Sequence, residues 1–308
     1  MIRTWGHGNR QRGYIGALVQ AWEDGFRQQQ PGITFQTTLW GDKSAIGGLY
    51  TGAADLALME RGLSAIERDS YEQVVGRKNP FEVSVATGSL EVPNHAMALV
   101  LFVHADNPLR QLTLRQADEI FDADHRRGTR RIETWGELGL RGEWVHKPIR
   151  AYIFGIDQDT SQYFQKVVMA GSQKWTGHLQ EFTDLQRPDG SVHTAGQQII
   201  EALEKDRYGM AISVMPYRTR QVRPLALAAQ DGGPYVAATR ETVAQRSYPL
   251  TRSVSIYANR EPGEPLNAML KEYLRFILSR QGQDAIAHDR GYLPLTAEIA
   301  EHERSRLQ

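Results

Sequence analysis

The chain has 308 residues, of which 36 are basic, 36 acidic and none cysteine, so its formal net charge is zero. Zero net charge argues against nucleic acid or an anionic membrane surface as partner, because proteins that hold phosphate backbones carry a basic excess; the lack of cysteine excludes disulfides, thiolate-held zinc and a thiol nucleophile. At 41% hydrophobic and 23% charged the composition is globular, and the length fits about two domains with sizeable cores.

Ile2 to Trp5 reads as a strand, followed by the Gly-rich, basic loop Gly6-His7-Gly8-Asn9-Arg10-Gln11-Arg12-Gly13. From Tyr14 to Gln29, Ile15, Leu18, Val19, Trp22 and Phe26 share one helical face, and Pro31-Gly32 ends the helix. The loop matches the dinucleotide-binding pattern only weakly, since its third glycine falls at Gly13. Ile33 to Leu39 is a second strand, Trp40 to Ser44 a loop and Ala45 to Thr51 a short helix. Lys43-Ser44 matches the end of a Walker motif, but Asp42 stands where that motif requires glycine, which rules it out. Asp55 to Met59 is a strand ending in Glu60-Arg61, and Ser64 with Glu67 forms a capping box at the next helix.

Phe81 to Thr87 and Asn94 to Val103 read as strands, with a hairpin expected between residues 85 and 103. The second of these contains the longest apolar run, Ala96 to Val103, far too short to span a bilayer. Thr113 caps a helix over Leu114 to Phe121. In the loop Asp122 to Arg131, acidic neighbours dilute the arginines, which reads as a solvated surface. Ile149 to Phe154 is a strand, stopped by Gly155. Asp157, Asp159, Thr160 and Ser161 are all capping types, and a helix follows with Tyr163, Phe164, Val167 and Val168 at helical spacing. Such a turn aims free backbone N–H groups and a partial positive charge outward, which suits a small anion. An ordinary, well-capped strand-to-helix connection is the other reading.

Thr194 caps a helix through Asp206, Tyr208 to Val214 and Ser253 to Ala258 are strands, and Pro265 to Leu278 and Gln283 to His288 are helices, the last closed by Gly291. Alternating strands and helices predict an α/β fold with mainly parallel sheets. In such sheets ligands bind beyond the carboxyl ends of the strands. The loops at Gly6, Trp40, Glu60 and Gly155 all lie at such ends.

Several segments, taken in order, resemble the phosphate-type periplasmic solute-binding proteins of ABC importers. Asp55-Leu56-Ala57-Leu58-Met59-Glu60-Arg61 resembles that family's "DIAxxSR" strand. Asn107-Pro108-Leu109, Leu112-Thr113-Leu114, Ile120-Phe121 and Thr134-Trp135 are similar to "NPLxxLTxxQLxxIFxGxxxxW". Pro148-Ile149-Arg150 with Asp157 to Phe164 is similar to "PIxxxxRxxxSGTxxxF", and Tyr248-Pro249-Leu250-Thr251-Arg252 to "YPLxRP". Phe276 to Gln283 and Gly291-Tyr292-Leu293-Pro294-Leu295 follow the family's C-terminal pattern. The resemblance spans residues 2 to 296. It implies a two-lobed type II periplasmic-binding-protein fold, with residues 1–103 and 250–308 in one lobe, 104–249 in the other, and two crossing strands as a hinge that closes over a ligand.

Carried over residue by residue, the family's serine–glycine–threonine anion loop falls on Gln158, Asp159 and Thr160, with Ser161 beside it. Only Thr160 keeps its type, and the arginine often found upstream is replaced near Ile156. Ser44 offers a hydroxyl in the second loop, and Glu60 stands in place of a serine before Arg61. Asp157 and Asp159 sit beside the expected anion. Asp159 repels it unless it is paired or accepts a proton from it. Arg10, Arg12 or Arg61 offers the missing positive charge; the other reading of Arg10 and Arg12 is a solvated loop with internal ion pairs. His7, between Gly6 and Gly8 and ahead of Asn9, either donates to the anion or caps its loop.

The sequence carries no Gly-x-Ser-x-Gly elbow and no His-Glu-x-x-His helix. Asp157 and Asp159 lie on one loop, unlike the carboxylates of a glycosidase, which flank a bond. The expectation is therefore a monomeric, soluble, periplasmic binding protein with no catalytic role, no cofactor and no metal, which captures a small oxyanion, phosphate foremost, for an inner-membrane ABC permease. The alternative is a divergent binding or sensor protein for another ligand. Met1 is followed at once by a strand, with no secretory signal ahead of it. A periplasmic location then implies an export leader replaced by a start methionine, and a cytosolic one does not.

Overall fold

The structure, a computed structural model, describes every residue except 9–13, 94 and 262 and the side chain of Tyr14. The chain divides into two compact units, Met1–Ala96 with Arg252–Gln308, and Met97–Thr251. The first unit opens with β1 (Ile2–Gly6), α1 (Tyr14–Gln29), β2 (Phe35–Leu39), α2 (Asp42–Tyr50), β3 (Leu56–Met59), α3 (Ala65–Val75) and β4 (Phe81–Thr87). The second holds β5 (Val100–His104), β6 (Gln111–Thr113), α4 (Leu114–Phe121), β7 (Arg150–Phe154), α5 (Asp159–Val167), β8 (Leu179–Phe182), β9 (Leu185–Gln186), β10 (Val192–His193), α6 (Ala195–Glu204), β11 (Gly209–Ser213), β12 (Val222–Pro224), β13 (Ala226–Ala228) and α7 (Arg240–Ala244). The chain then returns to the first unit with β14 (Ser253–Ala258), α8 (Ala268–Ile277), α9 (Arg280–Asp289) and α10 (Ala297–Ser305).

In the first unit the sheet order is β2-β1-β3-β14-β4. β1 runs parallel to β2 and β3, and β14 runs antiparallel to both β3 and β4. The carboxyl ends of β1, β2, β3 and β4 and the start of β14 therefore share one edge. Helical periodicity explains the layer on one face. Ile15, Leu18, Val19, Trp22 and Phe26 of α1 are buried with Leu274 and Ile277 of α8 and Ile286 of α9 against Ile2, Leu56, Leu58 and Val83. Trp22 Nε1 donates to the Gly282 carbonyl at 2.9 Å, so the indole is buried without an orphan donor. On the other face Ala45, Ile46 and Leu49 of α2 and Tyr71 of α3 cover Ala57, Met59 and Tyr257. The capping box at Ser64 and Glu67 is present.

In the second unit the order is β12-β5-β11-β7-β8. β7 is parallel to β8 and β11, and β5 is antiparallel to β11 and β12. The expected hairpin between residues 85 and 103 does not form, because β4 pairs with β14 and β5 with β11 and β12. Extended backbone begins only at Val100. Ala96 takes a left-handed φ of 46°, and the Ser89 N–H closes the preceding loop on the His95 carbonyl at 2.8 Å.

The loop after α4 exposes its arginines, as the charge pattern suggests, but two buried carboxylates anchor its backbone. Asp118 and Asp122 are fully buried. Asp118 Oδ2 accepts from the N–H groups of Arg127 and Gly128 at 3.0 and 3.1 Å, and Asp122 from those of Asp124 and Arg126 at 2.9 and 3.2 Å. Burial, and then the neighbouring Asp122, raise the Asp118 pKa above the usual carboxylate value. The folded state therefore binds this proton more tightly than the unfolded chain, and the contribution is lost as pH rises through the folded pKa. Asp118→Asn keeps the accepting oxygen and removes the titration. It should stabilise the protein by about 1 kcal/mol at neutral pH, shrinking toward about pH 4. Urea melts at the two pH values check this, and equal stability of variant and wild type at neutral pH would overturn it.

Candidate functional site

At the carboxyl edge of the first unit, three strand-end loops are tied together by charge. Gly41, with φ of 104°, turns the chain from β2 into α2, and its N–H donates to the Gly6 carbonyl at 3.0 Å. α2 starts at Asp42, three residues earlier than the apolar pattern indicates, and Asp42 is 6% exposed. A carboxylate in a first helical turn is stabilised by the helix dipole. Asp42 Oδ1 accepts the Glu60 N–H at 3.2 Å. His7 lies between the two carboxylates, with Nδ1 3.4 Å from Asp42 and Nε2 3.5 Å from Glu60.

Glu60 is 5% exposed. Its Oε1 accepts from the Tyr292 hydroxyl and its Oε2 from the Ala96 N–H at 3.2 Å, while Arg252 donates to its backbone carbonyl at 3.1 Å. Burial pushes the Glu60 pKa up, and the charge of His7 and the Tyr292 hydroxyl oppose that shift. For His7, burial disfavours the cation, as does Arg252. The hydrogen bond to Asp42 and the fields of Glu60 and Asp42 outweigh both and raise its pKa to about 9.

At the carboxyl edge of β7 in the second unit, Gly155 ends the strand and α5 begins. Its N-cap is Gln158, whose side chain makes no capping hydrogen bond. The capping types either side are used otherwise. The Ser161 hydroxyl donates back to the Phe154 carbonyl at 2.9 Å, locking the helix start to the strand end, and Asp157 is exposed. Asp159 is the first helical residue. The Thr160 Oγ1 is buried and has no hydrogen-bond partner. An α-helix leaves the N–H groups of its first turn without intrahelical partners, so α5 presents those of Thr160 and Ser161 beside an unsatisfied hydroxyl. Such an arrangement has the chemistry to hold an anion. Behind it, Phe164 stacks on Trp175 with centroids 5.7 Å apart and meets Phe121 edge-on at 5.2 Å, which fixes the helix on its sheet.

The residues named from sequence fall into distinct settings. His7 and Glu60 meet in one network of the first unit. Arg61 lies beside them, but its guanidinium takes Glu67 in a two-pronged contact, both N–O distances 2.7 Å. The Ser44 hydroxyl donates to the Gly41 carbonyl at 2.8 Å. Gly8 has φ of 95° and packs on Ile15, where a Cβ would come within 2.3 Å of the Ile15 side chain. Asn9, Arg10 and Arg12 lie outside the described residues. Gln158, Asp159, Thr160 and Ser161 gather at the start of α5. Asp42, Arg252 and Tyr292 were missed as site residues. Asp42 stands where the Walker pattern requires glycine, and Arg252 and Tyr292 lie in segments that carry the family resemblance without a site role. Among the described residues no group of three or more His, Asp or Glu side chains has the geometry to hold a metal. None of the described helices is long and apolar enough to cross a membrane.

Comparison with known proteins places this chain in a family. The family model for a PBP superfamily domain matches residues 13–281. The phosphate-binding protein PstS of Pseudomonas aeruginosa is 30% identical over 285 residues, covering 92% of this chain and 81% of that protein. Among solved structures, PstS from Borrelia burgdorferi aligns over 96% of this chain and 100% of its own, with a TM-score of 0.61 at 13% identity. An ABC-type phosphate transport receptor from Vibrio cholerae aligns over 95% and 99%, with a TM-score of 0.58 at 15% identity. These two likenesses concern the fold; the sequence match to the Pseudomonas protein and the family model carry the kinship. No enzyme family is indicated. The chain belongs to the PBP superfamily, among the PstS-like solute-binding proteins.

Proposed function

We propose that this protein captures a small oxyanion, inorganic phosphate foremost, outside the cytoplasm and delivers it as a monomer to an ABC permease, with no chemical step and no cofactor. The observation that carries this reading is the start of α5. A helix N-terminus without a side-chain cap sits beside the buried, unpartnered Thr160 hydroxyl, and both call for an acceptor rich in lone pairs. His7, Glu60 and Arg61 then serve as supports of a binding edge, and Arg10 and Arg12 as the candidate cations for the anion. The Pseudomonas relative is a phosphate-binding protein, which supports the same ligand.

A second reading, a binding or sensor protein for another ligand, is favoured by one feature. Asp159 places a carboxylate at the first helical position, a group that can accept a hydrogen bond from a ligand carrying a proton or a neutral donor. Thermal-shift measurements with phosphate, sulfate, molybdate and small phosphorylated compounds separate the two. A true ligand at about a hundredfold its dissociation constant should add roughly 2.7 kcal/mol of stability. A shift with phosphate supports the first reading. Response only to phosphorylated organic compounds supports the second, and no response to any of the panel would overturn both.

A further inference from the structure

We infer that His7 is a positioning residue: as an imidazolium it bridges Asp42 and Glu60 and ties together the points where the chain leaves β1, β2 and β3, on which oxyanion binding depends. This rests on the reading proposed above for the site. The argument is one of donors and acceptors. His7 faces a carboxylate oxygen from each ring nitrogen, at 3.4 and 3.5 Å. A neutral imidazole has one donor and one lone pair, so one nitrogen would then oppose an oxygen that also carries lone pairs. Glu60 accepts from Tyr292 and from the Ala96 N–H, contacts that favour its carboxylate form and make the ring the better place for the proton. Asp42 is likewise engaged by the Glu60 N–H. The doubly protonated ring offers an N–H to each carboxylate.

Both ring nitrogens of His7 face carboxylates of the first unit. Its effect on a ligand passes through loop geometry. The strands after which these loops emerge are held in register by the parallel ladder from Ile2↔Phe35 to Gly6↔Leu39 and from Thr4↔Leu56 to Gly6↔Leu58, but that ladder stops at Gly6. Beyond it, the Gly41 and His7 N–H groups donate to Gly6 and Leu58 at 3.0 Å each, and among the described residues further cross-loop ties run through the His7 ring and its two carboxylates. The charged and titratable groups that face this ring among the described residues are Asp42, Glu60 and Arg252. Behind them, Arg61 lies 3.8 Å from Asp42, Tyr292 bonds Glu60, and His95 meets the Tyr292 ring at 4.9 Å. Asp289 acts on Tyr292.

A His side chain that gains partners on folding keeps its contribution below its ordinary pKa and loses it as pH rises through the folded value, here about 9. Inorganic phosphate is predominantly a dianion from about pH 8 to about pH 10, so a change in affinity across that window belongs to the protein. The experiment is calorimetric titration of phosphate into wild type, His7→Gln and His7→Lys across this range. The wild type should lose affinity by about tenfold toward pH 10. His7→Gln should start about tenfold weaker and stay flat, so that the two curves converge. His7→Lys, which keeps a cation, should lie between them. Parallel curves for wild type and His7→Gln, or a variant that binds as well as wild type, would overturn the inference. NMR titration of the His7 ring in the ligand-free wild type tests the clamp whether or not phosphate binds. Protonation that persists to about pH 9 supports it, and titration near the ordinary value of about 6.5 overturns it. A wild type that binds no phosphate at any pH defeats the proposed function, while the ring titration still decides whether His7 is held as a cation.

Discussion

Thr160→Val is expected to weaken phosphate binding by about 10- to 100-fold while leaving the ligand-free protein as stable as wild type or slightly more so. The hydroxyl of Thr160 is buried without a partner, so the empty site already carries the cost of an unmade hydrogen bond. Valine has nearly the same shape and removes that cost. When an anion arrives, the hydroxyl gains a charge-assisted hydrogen bond worth about 1.5–3 kcal/mol, which valine cannot make. Affinity and stability thus move in opposite directions, a pattern that a merely structural threonine does not produce. Thr160→Ser restores the donor and should recover most of the affinity. Calorimetric titration with phosphate, paired with a thermal melt without it, reads both quantities. A valine variant that binds like wild type would remove Thr160 from the site and, with it, the observation on which the proposed function stands.

The elements legible in the sequence are those specified by their own residues. The apolar stripe of α1 and the Ser64–Glu67 capping box are local signals, and both stand as expected. Elements that depend on distant partners were not legible. β14 inserts between β3 and β4, joining residues on either side of the whole second unit. That insertion removes the hairpin expected after β4. β9 and β10 are two residues each, too short to show any alternation. α10 buries only Ala300 and Glu303, so its apolar periodicity is nearly absent, and only Thr296 as its cap marks it. α2 begins earlier than its apolar residues suggest because Asp42, a polar residue, is stabilised at the helix start by the dipole and by the Glu60 N–H.

The candidate site divides along the same line. The start of α5 was readable because strand, glycine, capping types and helix follow one another in sequence. Even there the assignment of caps shifted: Gln158 occupies the cap and Ser161 turns back to the strand. The network in the first unit was not readable, because it joins His7, Asp42, Glu60, Arg252 and Tyr292 through contacts such as Glu60 with Tyr292, 232 residues apart. Glu60, named for its place beside a family arginine, is deeply buried rather than open to solvent.

That burial makes Glu60→Ala the substitution with the largest expected effect on stability, a loss of about 3–5 kcal/mol concentrated in the first unit. Removing the carboxylate leaves the Tyr292 hydroxyl and the Ala96 N–H without an acceptor. Each is then a buried donor carrying a desolvation cost of about 1–3 kcal/mol. It also takes from His7 one of the two anions that keep it charged, so the ring should titrate at a lower pH than in wild type. Glu60→Gln keeps one accepting oxygen and turns the other position into a donor, which leaves either the Tyr292 hydroxyl proton or the Ala96 N–H without an acceptor, and a smaller loss is expected. Tyr292→Phe removes donor and mismatch together, so in a Glu60→Gln background it should recover part of the stability lost. Urea unfolding of the four proteins measures the sizes, and hydrogen exchange localises them. Peptides covering β1, β3 and β14 should exchange faster in Glu60→Ala, while those covering β7 and β11 should not. Were Glu60→Ala as stable as wild type, the buried carboxylate would not be the acceptor around which this edge is built, and the case for His7 as its counterion would fall with it.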